Sequence, residues 1–385
     1  MNYGAPGVYV EEVDSGSRTI QGRSTSIAAF VGLTPDGDAA VNEAVAVNSL
    51  REFSKHFAPQ GSAATHLAHA VHGFFLNGGS RCYVINTGTN GPIEQATIRR
   101  LEELDDVAMV AAPGATAIED YDALITHCKG RSDRLAILDP PERVENIMDL
   151  TKVATATPSK SGAPERPSLR PPDSDKAALY FPWLVIKNAF GTGCVNAPPS
   201  GFVAGIWARA APHQPPANAG VAGALGVTYP IIDAEQAVLN PLGVNCIRHF
   251  SDSGPTVWGA RTLAAQSSPF RYVNVRRLFC YIQTAIALDT RGYVFRPNDH
   301  NLWMTVRRNV SDFLRGQWRI GALHGRTPDE AFFVKCDEDT NPPESIREGK
   351  LVVEVGIAPV RPAEFVIFRV AHIESGTSNE EVARG

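Results

Sequence analysis

Three stretches carry residue types that bind phosphate or metal when their spacing is right, and each fails at a particular position. Gly32-LTPD-Gly37 has the opening spacing of a phosphate loop, whose backbone N–H groups would cradle a nucleotide. Asp38 stands where the lysine must be, and its carboxylate repels phosphate. Gly191-Thr192-Gly193-Cys194-Val195-Asn196 supplies two of the three glycines of a dinucleotide fingerprint. His66, His69 and His72 recur at i, i+3 and i+6, but no carboxylate or cysteine lies beside them at ligand spacing, so the row reads as one side of a half-exposed helix. Asp337-Glu338-Asp339 reads as a solvated turn. There is no HExxH, no GxSxG and no acidic loop of EF-hand type. The six cysteines never form a CxxC pair, which fits reduced, mostly buried thiols better than a zinc site or a disulfide scaffold. No catalytic, cofactor-binding or metal-ligating residue is therefore assigned. A chain of this size without a catalytic constellation points to an assembly protein, whose function is its set of interfaces.

The elements that would carry such interfaces are legible in the pattern. Strand candidates (Ala44–Val47, Arg81–Asn86, Val107–Ala112, Arg134–Leu138, Ala177–Ile186) alternate with helix candidates (Ala63–Leu76, Ile118–Cys128, Val144–Val153). That alternation predicts a doubly wound α/β sheet. Ser49 with Glu52 three residues on reads as a helix start. Residues 157–176, rich in proline, serine and charge, read as an exposed loop. Farther on, Val275, Leu278, Phe279, Ile282 and Ile286 share one helical face, and a second helix is expected over Leu302–Ile320. On that second helix Arg307, Arg308, Arg315 and Arg319 gather within about 120°, opposed by Asp312 alone, and suit an anionic partner. Two strands, Leu351–Ala358 and Glu364–Ile373, are joined by a short loop with two prolines, Pro359–Ala363, and suit antiparallel pairing. With a net charge of −5 nothing suggests a nucleic-acid surface, and no apolar run nears the roughly 20 residues that span a bilayer. No signal peptide is visible, so synthesis and initial residence in a cytoplasm are expected.

The opening segment poses a different problem. Val8, Tyr9, Val10, Glu11 and Val13 lie in a stretch of good strand residues at the chain's end, where a lone strand leaves its N–H and C=O groups unpaired. The Gly/Ser-rich SGSRTIQG that follows would serve as a hinge.

In their order along the chain, several segments resemble one family. They include PGVYVEEV (6–13), STSIAAFVG (24–32), AVHGFFLNGGSRCYVI (70–85), LAILDPP (135–141) and NAPPSGFVAGIWAR (196–209). The series continues with QAVLNPLGVNCIRHF (236–250), YVNVRRLFCYIQTAI (272–286), VFRPNDHNLWMTVRRNVSDFLRGQW (294–318) and LVVEVGIAPVRPAEFVIFRV (351–370). Together they resemble the tail-sheath subunit of contractile phage tails and related injection systems. The resemblance implies an α/β outer domain of subtilisin-like topology (23–254) and an α+β inner domain (255–385) with helices 273–288 and 302–320 and strands 351–358 and 364–373. The arm 1–22 would join the inner domain. It further implies six-fold rings stacked helically around an inner tube, with contraction driving the tube through a target envelope. Carried over, Val8–Val13 would be donated to an acceptor sheet in another copy, formed by Leu351, Val353, Val355, Ile357, Phe365 and Ile367. The arginine-bearing helix would face the tube. Expected partners are copies of the chain itself, the inner tube protein, and baseplate and cap or terminator proteins, with no nucleic acid and no membrane insertion. The implied location is a bacterial cytoplasm followed by release as a particle. A sheath-like cap or baseplate component, or an α/β enzyme, are the alternatives. The chain departs from the family in lacking a long middle insertion and in its abbreviated HQPPANAG loop (213–220).

Overall fold

The computed structural model describes residues 20, 22, 24–88, 91–154 and 168–365. Strand β1 (Ala28–Gly32) has no polar side, and both its faces are covered. Ala28 and Phe30 enter one core, and Ala29 and Val31 enter another. In chain order there follow β2 (Ala44–Val47), β3 (Cys82–Asn86), β4 (Met109–Ala111), β5 (Leu135–Leu138), β6 (Ala177–Phe181), β7 (Leu184–Lys187) and β8 (Cys194–Ala197). The remaining strands are β9 (Ala219–Gly220), β10 (Ala224–Val227), β11 (Val244–Phe250), β12 (Gly254–Val257), β13 (Phe332–Lys335) and β14 (Glu354–Ile357). Nine of them form one sheet in the order β2-β3-β1-β4-β5-β6-β11-β12-β9. From β3 to β11 neighbours run parallel, while β2 at one end and β12 and β9 at the other pair antiparallel.

Helices cover both faces. Phe53 of α1 (Leu50–Phe57), Phe74 of α2 (His66–Leu76) and Trp207 of α5 (Ser200–Arg209) fill the first core. Leu101 of α3 (Gln95–Glu102), Tyr121 of α4 (Ile118–Gly130) and Leu239 of α6 (Asp233–Leu239) fill the second. This is the α/β layering that the strand–helix alternation predicts. The local signals hold too: Ser49 Oγ accepts from Glu52 N at 3.2 Å, and the Glu52 carboxylate reaches back to Asn48 N at 2.8 Å.

Two expected elements differ. The helix expected over Val144–Val153 is only a 3₁₀ turn, Ile147–Thr151; the Asp149 carbonyl, which a helix would offer to Val153 N, is taken by Leu169 N. The strand expected over Ala177–Ile186 divides into β6 and β7, since Pro182 has no N–H to continue a ladder. The second part joins β8 and β10 in a separate three-stranded sheet.

A third core lies between α7 (Val273–Thr290) and α8 (His300–Arg319), with Leu278, Ile282, Val306, Val310, Phe313 and Leu314 interleaved. Asp299 caps α8 by accepting from Leu302 N at 2.8 Å. Helix α7 ties this unit to the large sheet, because its other side gives Val273 and Cys280 to the first core. Arg277 fixes that contact by donating to Trp207 O at 2.7 Å and Ala210 O at 3.1 Å, which caps the end of α5. Ile20, 6% exposed, also lies in the third core, so the chain is pinned there before it enters β1.

Candidate assembly interface

β13 and β14 form a two-stranded antiparallel sheet in the register Phe332↔Ile357 to Lys335↔Glu354. Ala358 N donates to Ala331 O, which sets the phase: Glu354 and Gly356 turn their backbone groups toward β13, while Val355 and Ile357 turn theirs outward. Among the described residues no strand pairs with that outward edge. Its side chains do not float, for Leu351, Val353, Val355 and Ile357 all pack against the third core. The result is an ordered edge with open backbone groups, the arrangement that accepts a further strand.

The strand expected over Leu351–Ala358 is thus regular only over Glu354–Ile357, and its partner is β13. The shortening has a local cause. Val352 N donates to Asn341 Oδ1 at 2.7 Å and Val352 O accepts from Asn341 Nδ2 at 3.0 Å, so a buried side-chain amide replaces the ladder there. Phe365 is described and 73% exposed, whereas Ile367 and the rest of the expected second strand lie outside the described residues. So does the expected donated strand, Val8, Tyr9, Val10, Glu11 and Val13.

Arg307, Arg308 and Arg319 are exposed along α8, and Arg315, partly exposed, is paired with Asp312 at 2.8 Å. Beside them a groove of about 440 Å³ runs between α8 and β13, lined by Met304, Thr305, Ser311 and Val334 as well as Arg307 and Arg308. The surface offers cations and apolar contact together.

The large sheet has its own polar centre at the C-terminal ends of its parallel strands, where α/β proteins commonly place ligands. The centre is closed. Asp139 follows β5 and accepts from Ser200 N at 2.8 Å, Ser200 Oγ at 2.6 Å and Gly114 N at 3.1 Å, with Asp139 and Ser200 both buried. The serine hydroxyl is spent on the carboxylate, and the pair caps the start of α5. Burial pushes the Asp139 carboxyl up to about 7 against these three donors. Being raised, its contribution to stability is fully present below the ordinary carboxylate value and fades as pH rises toward 7. Asp139→Asn is therefore expected to trail the natural chain by a wider margin at about pH 4.5 than at about pH 7.5, by up to about 3 kcal/mol. Paired denaturant melts at the two pH values check this, and equal margins would contradict it.

The remaining sequence candidates have structural roles. His69 is buried, His72 partly so, and His66 is exposed; burial holds His69 down to about 4, and the two other histidines add to this. Among the described residues no group of three His, Cys, Asp or Glu could hold a metal. The Gly32–Gly37 loop is filled by the Asn86 side chain, which donates to Asp36 O, Gly37 O and Ala39 O. Asp337 binds the N–H groups of Asp339 and Thr340 within its own turn. Asn86, Asp139 and Asn341 escape sequence reading because their partners are distant or belong to the backbone.

Residues 95–263 match the phage tail sheath protein central domain, and residues 265–373 match the phage tail sheath C-terminal domain. The chain belongs to the phage tail sheath family. The tail sheath protein of Vibrio phage KVP40 is 26% identical over 176 residues, 44% of this chain and 25% of that protein. This sheath chain thus aligns with about a quarter of that longer relative. Whole-chain similarity is found among solved structures. The sheath complex of the extracellular contractile injection system PVC, in its contracted state, is 27% identical with a TM-score of 0.80, covering 97% of this chain and 99% of that one. The helical sheath of the anti-feeding prophage, in its contracted state, is 26% identical with a TM-score of 0.76, covering 97% and 100%. These sheath relatives are structural proteins, which points away from enzymatic activity. Among the described residues no helix is long and apolar enough to cross a membrane.

Proposed function

We propose that this chain is the subunit of a contractile sheath that polymerises as helically stacked six-fold rings around an inner tube and drives the tube through a target envelope. The observation that carries the reading is the whole-chain similarity to a contracted sheath complex at a TM-score of 0.80. In this reading residues 23–254 form the outer domain, of subtilisin-like topology, and both chain ends join the inner domain. Val8–Val13 of one copy adds to the open edge of β14 in another, and the segment after Phe365 makes a similar donation. A two-stranded sheet is marginal alone, so added strands complete it. The arginine face of α8 meets the tube, and baseplate and cap proteins close the two ends of the cylinder. Assembly takes place in a bacterial cytoplasm, with release as a particle. The stroke uses no nucleotide. The extended lattice is metastable, and contraction gains contact between subunits.

Negative-stain microscopy of the expressed full chain tests the proposal. Striated cylinders or six-fold cogwheel cross-sections are expected, and a monodisperse protein that forms neither under any assembly condition would sink it.

A further inference from the structure

Past β14 the chain runs from Ala358 to Glu364 without regular secondary structure, yet groups of the body hold it at several points. Ala358 N donates to Ala331 O at 2.8 Å, and Ala358 O accepts from His324 N at 2.7 Å. Val360 N donates to Ala322 O at 3.3 Å, and Val360 O accepts from Asn274 Nδ2 at 3.0 Å. Glu364 ends the row. Its carboxylate accepts from Arg261 Nε at 2.8 Å and also from Arg261 Nη2, while Arg271 stands 3.7 Å away.

The body spends buried groups on this segment. Arg261 is 3% exposed and Asn274 1%, and burying a guanidinium is costly unless a carboxylate meets it. Arg261 is also fastened into the large sheet. Its N–H donates to Asn245 Oδ1 at 2.7 Å, and its carbonyl accepts from Asn245 Nδ2 at 2.8 Å. Asn245 lies on β11, and its amide reaches Leu179 O on the neighbouring β6 at 3.1 Å. A pull on Glu364 thus passes through a two-point ion pair into the middle of a nine-stranded sheet. Without that pair the same pull would fall first on the single hydrogen bonds of Val360 to Ala322 and Asn274, and then on the end of β14, whose four residues would part from β13 one after another.

We propose that residues 358–364 are a strap and that Arg261–Glu364 is its latch, directing tension from the C-terminal residues into the large sheet instead of into the β13–β14 hairpin. The proposal rests on the sheath reading only for the source of that tension. Arg261 and Glu364 act as positioning residues, and fixing the departure of the chain at Glu364 also fixes where a donated C-terminal strand begins.

Pulling on the free full-length chain tests the latch. One handle is placed on Cys194, the exposed one among six cysteines, and the other at the C-terminus. Glu364→Gln is expected to shorten the lifetime of the first opening step at constant load by about tenfold or more. That step releases β14 and the strap, roughly 35 Å of chain. With the second handle moved to the N-terminus, the same substitution is expected to leave the first step unchanged, whereas a generally stabilising ion pair would shift both. Glu364→Asp, which keeps the charge but shortens its reach, serves if the glutamine variant folds poorly, and a shorter lifetime under C-terminal load is expected again. Equal lifetimes under C-terminal load overturn the latch, and equal losses in both geometries overturn its directional role. The free chain needs no polymerisation, so failure of the sheath reading in microscopy would leave this result standing.

Discussion

Deletion of residues 1–15 is expected to leave a folded subunit that no longer polymerises. Among the described residues the first one packed into any of the three cores is Ile20, which the deletion leaves in place. Thermal melting of the truncated chain should therefore match that of the full chain. Assembly should fail, because the outward backbone groups of Val355 and Ile357 would lose the strand that completes them. Each strand-to-edge hydrogen bond contributes only about 1 kcal/mol net, but in the proposed lattice every subunit would lose the junction that its own arm makes. Sedimentation should show subunits alone, and microscopy no cylinders. Normal-looking cylinders from the truncated chain would refute the donated-strand account.

The second large effect is expected inside the subunit. Helices α2 and α5 cross with almost no space between their backbones. A Cβ at Gly201 would lie 2.3 Å from Ala70 O and 2.4 Å from Ala70 Cα, and one at Gly205 would lie 2.5 Å from Phe74 O. These neighbours are main-chain atoms that cannot rotate away, so even a methyl group must push the helices apart. Phe74, Phe202 and Trp207, packed together in the first core, would lose contact along with it. Gly201→Ala is expected to cost about 3 kcal/mol or more. Gly316→Ala is the contrasting case. It sits within α8 with nothing within 4 Å of its would-be Cβ, and it should stabilise the free subunit by about 0.5–1 kcal/mol. Denaturant titration of both variants checks the opposite signs; two stabilising shifts would show that helix propensity, and not the crossing, governs these positions.

Much of the fold was legible because its signals are local. The Ser49–Glu52 start and the apolar strands β3, β4 and β5 need only neighbouring residues to be read. The misreadings arose where a distant group intervened. Leu169 N claims the Asp149 carbonyl that a helix over Val144–Val153 would need, and Asn341 supplies the bonds that a ladder would have given Val352. The apolar run Ala177–Ile186 concealed a change of sheet at Pro182. The proposed interface starts from two features of the sequence, a strand without a partner at one end of the chain and a strand-rich segment at the other. The pairing of β14 with Phe332–Lys335, about twenty residues upstream, was not read from the pattern, and the strand expected after it lies outside the described residues. The buried latch between Arg261 and Glu364, 103 residues apart, left no trace in local pattern.

The most direct test of the account is a cryo-electron-microscopy map of the assembled particle at a resolution that traces the arms. The account predicts that Val8–Val13 of one copy lies hydrogen-bonded to Val355 and Ile357 on the open edge of β14 in a different copy. An edge filled by a segment of its own chain, or left unpaired in the assembled particle, would contradict it.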